Sequence, residues 1–560
     1  MTVGVRACQC CARVVPGVGN HLLLAVVLLF SLTPDAAAGP SNVSEPRELL
    51  VLKLDPAKPH QTIVGFGASD AWRLQMVGKY WPKEKRNSIA DLLFSSKISG
   101  DGKPQGIGLS LWRFYVGSGS MEQGAQSGIA DEWRRAECFQ RPDGTYDWSK
   151  QQGQRWFLEA ARSRGVPAFL AFSIAPPAHL AQNGKAHGAG TNSMNIQPGK
   201  LAEYARFLAD VMEHFEKDLN LPFQFLSPVN EPQWDWGRSN NQEGTAVSNA
   251  ECWEFARLLG ADLNRRHLGT KIVFGESANI SYLYSPNKLP GRGDQIRDFL
   301  DKDSEHLLTG LPNVANVISG HSYGTTWPLD VLIRDRMSLR QTLDQISPTT
   351  SYWQTEFCIM EKTGEIGSGW KRDLGMDTAL YVARVIHADL TIADAASWQW
   401  WTAVSRFDYK DGLIFIDDGK SSGLRSADPD YARRDGEIRT SKLLWALGNY
   451  SLFVRPGMVR IDVRLLDGNE TVSEERHGLL VSAYADKSIR RQVIVLVNRS
   501  EVERVVAIPS ATASTLTTYV TSATLDLQKQ AAGQHTVPIP RRSVVTVVVD
   551  EGSPLTTKPQ

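Results

Sequence analysis

The chain has 560 residues, 42% of them hydrophobic, with 61 basic and 61 acidic side chains. That length is enough for one large domain and a smaller one. Balanced charge gives no long-range pull on polyanions, which excludes nucleic acid and acidic membranes as expected partners.

The N-terminus reads as a secretory signal. Arg6 and Arg13 supply positive charge, Leu22 to Leu32 is a short apolar run, and Ala36-Ala37-Ala38 is a small-residue cleavage site, cut after Ala38. The run is too short to span a bilayer, so no membrane insertion is expected. A secreted, extracellular monomer is the expectation. Cys8, Cys10 and Cys11 leave with the signal, and Cys138, Cys252 and Cys358 stay. An odd count leaves at least one thiol unpaired within the chain. No Cys/His spacing resembles a zinc site, so no metal is expected. Sequons sit at Asn42, Asn279, Asn449, Asn469 and Asn498.

From Leu49 to Leu54 the chain reads as extended, then as a Pro-containing turn, then as extended again from Gln61 to Val64. The following Gly65-Phe66-Gly67 lets backbone turn or approach closely. It is not a phosphate loop, because the lysine that should follow is absent. Eight short apolar runs then recur, near Gly65, Gly108, Phe169, Phe225, Ile272, Ile318, Trp353 and Trp398. Helical patterns separate many of them. Pro82 opens one, with Ile89, Leu92 and Leu93 on one face. Leu201, Tyr204, Leu208, Val211, Met212, Phe215 and Leu219 form another, and Phe255, Leu258, Leu259 and Leu263 a third. Near-continuous apolar strands alternating with helices predict a parallel sheet covered on both faces. Eight such units fit an α/β fold of the (β/α)8 barrel type; an open doubly wound sheet is the alternative the same pattern allows. One more helix follows around Lys442 to Tyr450. Beyond Val459 the pattern turns to alternation, as in Leu479 to Tyr484, Gln492 to Val497 and Ser543 to Val549. This predicts an antiparallel β-sandwich side domain. The predicted division is a signal over 1–38, N-terminal strands joining the side domain over 39–64, the barrel over 65–450 and the sandwich over 451–560.

Two of the apolar runs climb to a glutamate. Phe223 to Val229 leads to Asn230-Glu231-Pro232, and the proline, which cannot donate to a ladder, ends the strand there. Ser351 to Thr355 leads to Glu356. Barrel enzymes place their chemistry at such strand ends. The reading is that Glu231 and Glu356 face each other across one cleft and cleave a glycosidic bond. For either glutamate alone, a solvated rim residue or half of an ion pair is the plainer alternative. The 16 tryptophans are many, and a flat apolar face with one donor suits the C–H face of a sugar; most are expected to be packing.

These segments resemble glycoside hydrolase family 30, in the clan of retaining (β/α)8 glycosidases. Asn230-Glu231-Pro232 matches the clan's acid/base motif at strand four, and Thr355-Glu356 its nucleophile position at strand seven. Gln61 to Gly67 is similar to the family's entry into strand one. Ala446 to Ser451, followed by Val454-Arg455-Pro456-Gly457, is similar to its passage into the side domain. The likeness runs from about residue 48 to the C-terminus. His179 departs from the pattern, since related enzymes often carry an aromatic there. Within the family the likeness is closest to the endo-β-1,6-galactanase group, through Gly67 to Trp72 and Leu109 to Phe114. That resemblance implies a polysaccharide substrate, β-1,6-galactan side chains of arabinogalactan, and no cofactor. Other family activities (β-1,6-glucanase, xylanase, glucosylceramidase) and a non-catalytic carbohydrate-binding barrel are the rivals. No compact Arg/Lys run marks a pocket for an acidic sugar.

The bond dictates the roles. A glycosidic oxygen must be protonated as it leaves, and the anomeric carbon needs an electron-rich oxygen behind it. Glu231 is assigned as acid and Glu356 as nucleophile. Arg113 and Tyr323 are expected to hold Glu356, and Asn230 to bond the neighbouring sugar hydroxyl. His321 is expected to orient Glu231 or bind sugar; a structural histidine or, for Arg113, an ordinary rim ion pair are the alternatives. Glu276 is a rival carboxylate given a supporting role. Asp70, with Trp112 and Arg113, is placed near the sugar. Trp234, Trp236, Trp400 and Trp401 are candidate sugar platforms, of which two are expected to touch substrate.

Overall fold

The computed structural model describes residues 49–551, apart from 189, 238–240, 421–427, 468–469, 472–477, 487, 510–513, 532 and 534. The predicted signal segment, the first three cysteines and the sequons at Asn42 and Asn469 lie outside the described residues.

The first strand, β1 (Leu49–Thr62), is continuous. The turn expected at its prolines is absent. The chain instead runs straight through Pro56 and Pro59, and its pairing slips between Asp55 and Pro59 and again between Pro59 and Thr62. A residue without an N–H cannot fill its ladder position, so the register shifts rather than the chain reversing.

Eight parallel strands then close into a barrel. They are β2 (Gly65–Ser69), β3 (Leu111–Tyr115), β4 (Ala168–Phe172), β5 (Phe225–Ser227), β6 (Lys271–Ser277), β7 (Val314–His321), β8 (Ser351–Glu356) and β9 (Ala395–Trp400), in that order around the ring. Every residue of β2, β3 and β9 is buried, as strands covered on both faces must be. Gly67 is needed for close approach: a Cβ there would stand 2.8 Å from the carbonyl of Leu111 on the neighbouring strand. The expected helices are present as Lys83–Phe94, Leu201–Glu213 and Asn249–Arg265. Pro82 caps the first from just outside it. Ser248 and Glu251 close a reciprocal capping box on the third.

A small sheet unforeseen in the sequence follows the barrel: β10 (Val404–Ser405), β11 (Ile414–Asp417) and β12 (Glu437–Thr440). The side domain comprises β13 (Val459–Asp467), β14 (Glu470–Thr471), β15 (Leu479–Asp486), β16 (Arg491–Asn498), β17 (Arg504–Ala507), β18 (Ser514–Thr521), β19 (Gln528–Gln530), β20 (Thr536–Ile539) and β21 (Ser543–Glu551). β1 enters this sheet between β13 and β17, parallel to the latter; the other pairings are antiparallel. Val520 of β18 and Ile539 of β20 sit near opposite ends of the strand order yet share one apolar cluster with Leu50 and Leu496. The sheet therefore folds into two layers around its own core.

Its other face packs on the barrel, since Tyr484, Val493, Val495 and Tyr519 join the barrel's apolar cluster. Asn449 ties the seam, donating to Thr546 Oγ1 at 2.9 Å and to the carbonyl of Tyr519 at 3.2 Å. That side chain is fully buried, and so is Asn498, which donates to three carbonyls. Neither sequon can carry a glycan in this fold. Cys138, Cys252 and Cys358 are all buried and unpaired. Among the described residues no helix is long and apolar enough to cross a membrane.

Candidate active site

The C-terminal ends of the barrel strands bring seven polar side chains together. Arg113 projects inward from β3 and is fully buried. Its Nη1 donates to Glu356 Oε2 at 2.5 Å, and its Nη2 donates to Glu276 Oε2 at 2.8 Å and to Asn230 Oδ1 at 3.1 Å. Its guanidinium lies 4.0 Å over the Phe172 ring. His321 ends β7 with Nδ1 3.0 Å from Glu231 Oε1 and Nε2 3.1 Å from Glu276 Oε2. Tyr323 donates to Glu356 Oε1 at 3.1 Å.

Glu276, at the end of β6, is the hinge of this network. Burial raises its pKa, but Arg113 and His321 outweigh burial and hold it near about 2. Held ionised by these partners and with no exposed surface, it is placed to clamp Arg113 and His321. Burial opposes the charge on His321, yet Glu356, Glu231 and Glu276 together raise it to about 10. The Glu231, His321, Glu356 cluster thus links the two glutamates through a shared charged imidazole.

The two glutamates differ in setting. Burial raises the pKa of Glu231, with the His321 contact opposing and the Glu356 charge adding to the rise. Glu356 faces two donors, Arg113 and Tyr323, which suit a carboxylate. One oxygen of each glutamate and a ring nitrogen of His321 lie within 4.8 Å of one another. Retaining sites hold their carboxyls about 5–5.5 Å apart, whereas inverting ones leave about 6.5–9.5 Å for a water. The backbone itself is bent to aim two of these groups: Glu231 and Glu276 have φ of 43° and 40°, in the left-handed region that non-glycine residues avoid. The Glu231 N–H donates to the carbonyl of Glu276 at 2.8 Å, fixing one strand end to the next.

The remaining predicted residues divide. Asp70 follows β2 and is buried; Oδ1 accepts the Tyr115 N–H at 2.9 Å, and the Gln154 side chain also lies against the carboxyl. Burial raises its pKa to about 8 despite that bond. Trp401 lies at the end of β9, edge-on to Trp72 at 5.1 Å. Trp72, part of the family likeness but not among the expected sugar contacts, borders Tyr115 as well. Trp234 is 46% exposed and lines a cleft of about 490 Å³ with Glu231, Trp236, Asn192, Leu289 and Arg292. Trp236 is partly buried, and its ring N–H donates to the carbonyl of Glu231 at 3.3 Å.

Trp400 is not a platform. It is 1% exposed, lies beside Trp398 and donates to the carbonyl of Asp411. It shares a strand face with Trp398, whose ring N–H donates to Asp389 on the helix Met376–Thr391, so that face looks outward. Trp112 is likewise excluded, since it packs edge-on against Phe94 of the helix Lys83–Phe94, outside the barrel. His179 lies 3.1 Å from Gln140 rather than beside Glu231 or Glu356. A larger cleft, about 620 Å³, opens by the helix Gln152–Ser163, but neither glutamate lines it.

A (β/α)8 barrel with a paired-carboxylate rim defines the class as glycoside hydrolase. The sequence profile of O-Glycosyl hydrolase family 30 matches residues 50–415, and the chain belongs to that family. It is 24% identical over 398 residues to the endo-beta-1,6-galactanase of Hypocrea rufa, spanning 68% of this chain and 72% of that one. It is 23% identical over 456 residues to the glucuronoxylanase XynC of Bacillus subtilis (strain 168), spanning 78% and 88%. A solved structure, of a conserved exported protein from Bacteroides fragilis, superposes with a TM-score of 0.83 at 33% identity, covering 89% of this chain and 100% of that one.

Proposed function

We propose that the chain is a secreted retaining glycosidase that cleaves β-1,6-galactan by double displacement. The observation that carries the mechanism is the close approach of Glu231 and Glu356, each with the partners its role needs. Glu231 protonates the leaving oxygen while Glu356 attacks the anomeric carbon. The bond between them breaks with its electrons going to the departing sugar. Water, deprotonated by Glu231, then displaces Glu356. Asn230, fixed by Arg113, faces the hydroxyl beside the anomeric carbon. The cleft at Trp234 adjoins Glu231 and not Glu356, so it receives the leaving group.

Two displacements mean retention. NMR of the first-formed product is expected to show the β-anomer before mutarotation. An α-anomer appearing first removes the covalent step.

The galactan assignment is supported by the likeness to the Hypocrea rufa enzyme and by Asp70. Galactose differs from glucose by an axial 4-hydroxyl. Asp70, buried at the end of β2 two residues before Trp72, is the carboxyl assigned to receive such a group. With glucose that contact is lost, a penalty of roughly a hundredfold or more in kcat/KM. β-1,6-Galacto-oligosaccharides are therefore expected to be cleaved at least about a hundredfold better than their gluco counterparts, and Asp70→Ala to narrow the ratio. The check is a panel of β-1,6-galactan, β-1,6-glucan, xylan and glucosylceramide with products sized. Comparable rates on the galacto and gluco series, or preference for xylan, replace the galactan reading and leave the glycosidase.

Export rests on the Leu22 to Leu32 run and the Ala36-Ala37-Ala38 site. Sequencing the secreted protein is expected to give Gly39 as its first residue. An intact apolar segment in membrane-bound protein counts against export.

A further inference from the structure

The cleft of about 620 Å³ on the barrel's flank is larger than the one of about 490 Å³ at Trp234. It lies between three helices, Leu74–Tyr80, Lys83–Phe94 and Gln152–Ser163, and the loop before the last of them. Gly78 of the first helix lies against Gly153 of the third: a Cβ on Gly78 would stand 2.1 Å from the Gly153 carbonyl oxygen. That backbone-to-backbone approach leaves no side chain over the crossing, and Gly78 lines the hollow that results. Gln152, Arg155, Trp156 and Glu159 also line it, at the i, i+3, i+4 and i+7 spacing of a single helix face. The helix buries Phe157, Leu158 and Ala161 on its opposite side.

Trp156 is partly buried. The Arg86 guanidinium lies 4.7 Å over its ring and Phe157 meets it edge-on at 4.8 Å, so the indole is held in one place. Gln152 and Glu159 are exposed. Among the described residues neither the Glu159 carboxylate nor the Trp156 ring N–H is taken up by a neighbour. Arg155 donates from Nη1 to the Trp148 carbonyl and keeps its other nitrogens open. Four basic and three acidic side chains line the cleft, so neither sign of charge dominates it. What it offers is an aromatic ring set among planar donors and acceptors. A neutral sugar matches that set: its C–H face packs on an indole, and neighbouring hydroxyls, each both donor and acceptor, bridge a carboxylate and a guanidinium. An acyl chain there would leave the polar groups unpaired.

We infer that this cleft is a second carbohydrate-binding site, apart from the two glutamates, which holds a neutral stretch of the polysaccharide cut at the barrel mouth. Naming that polysaccharide as galactan rests on the function proposed above; neutral-sugar binding at Trp156 does not. The site sits behind the barrel wall. Gln151 and Gln154, at the start of the same helix, donate to the carbonyl of Tyr115 at 2.8 and 3.3 Å, at the end of β3, the strand that carries Arg113. A chain gripped on the flank keeps its other residues close to the mouth and raises their local concentration, with no new contact at the carboxylates. A polymer reaches both places and a short oligosaccharide does not, so the benefit grows with chain length.

The test compares chain lengths. Trp156→Ala is expected to lower kcat/KM on long β-1,6-galactan about fivefold or more, the size of one lost aromatic contact, and to leave β-1,6-galactotriose within about twofold of the parent. Equal loss on both, or none on the polymer, overturns the inference. Binding is read separately in the full chain carrying Glu356→Gln, which prevents turnover, by its retardation in native gels containing β-1,6-galactan, β-1,6-glucan or xylan. At least one polymer is expected to retard the protein, and Trp156→Ala on the same background to release it. No retardation, or retardation that survives the substitution with every polymer, also overturns the inference. Should Trp156→Ala shift the melting curve, Glu159→Gln, on the exposed face, takes its place in both comparisons. A parent that leaves galactan uncut removes the galactan reading alone, because the gels report the cleft without turnover.

Discussion

Glu356→Ala is expected to abolish turnover on every substrate, activated aryl glycosides included. Losing a held nucleophile forfeits the intramolecular advantage of a pre-positioned attacking group, about 7 kcal/mol or more, or roughly 10⁵-fold in rate. A better leaving group cannot compensate, because the deficit lies behind the anomeric carbon and not at the departing oxygen. The fold should tolerate the change: Arg113 keeps Glu276 as a carboxylate partner at 2.8 Å and Asn230 as an acceptor. Breaking a buried pair still costs about 3–5 kcal/mol when no partner remains, so a melting curve belongs beside the kinetics. Azide added to this variant should yield, if anything, the glycosyl azide of inverted configuration. A well-folded variant with activity within a hundredfold of the parent, or azide rescue with retained configuration, gives the nucleophile's role to another residue.

How much of this site could be read from the chain depends on what each residue reports locally. Glu231 and Glu356 stand where apolar runs end, and a run that ends at a proline announces a strand end by itself. The eight barrel strands were legible for the same reason. Orientation was not. A strand buried on both faces is apolar on both, so Ser397-Trp398-Gln399-Trp400 gives no sign of which side faces the barrel interior. Trp400 and Trp112 were misplaced on that account, one position away from Trp401 and Arg113, which do reach the mouth. Pro56 and Pro59 misled in another way: a proline signals a turn, but a shift of strand register accommodates it equally well, and β1 takes that course. The Arg113, Glu276, His321 clamp joins β3, β6 and β7, and only barrel closure brings its members within 3.1 Å. The buried Glu243, which accepts from Tyr115 and from the N–H groups of Ser118 and Ser120, was invisible for the same cause; no local pattern marks it.

Glu231→Ala is expected to split substrates by leaving group. On galactan the rate should fall about 10²–10⁴-fold, the usual contribution of a positioned general acid. An activated aryl glycoside needs little protonation, so formation of its glycosyl-enzyme on Glu356 should persist. Hydrolysis of that intermediate then lacks a base for water, and the ester accumulates. Azide needs no deprotonation and should restore turnover, giving a β-glycosyl azide by a second inversion at the same carbon. The pH profile carries an independent sign. Burial holds the Glu231 pKa above its ordinary value, and the protonated form is the active one in the first step. Parent activity on galactan should therefore fall as pH rises through that raised value. In the variant, the first step on an activated aryl glycoside should show no such fall, since the group that loses its proton is gone. A variant that keeps the alkaline fall on the aryl glycoside, or loses both substrates equally with no azide response, places the proton donor elsewhere than Glu231.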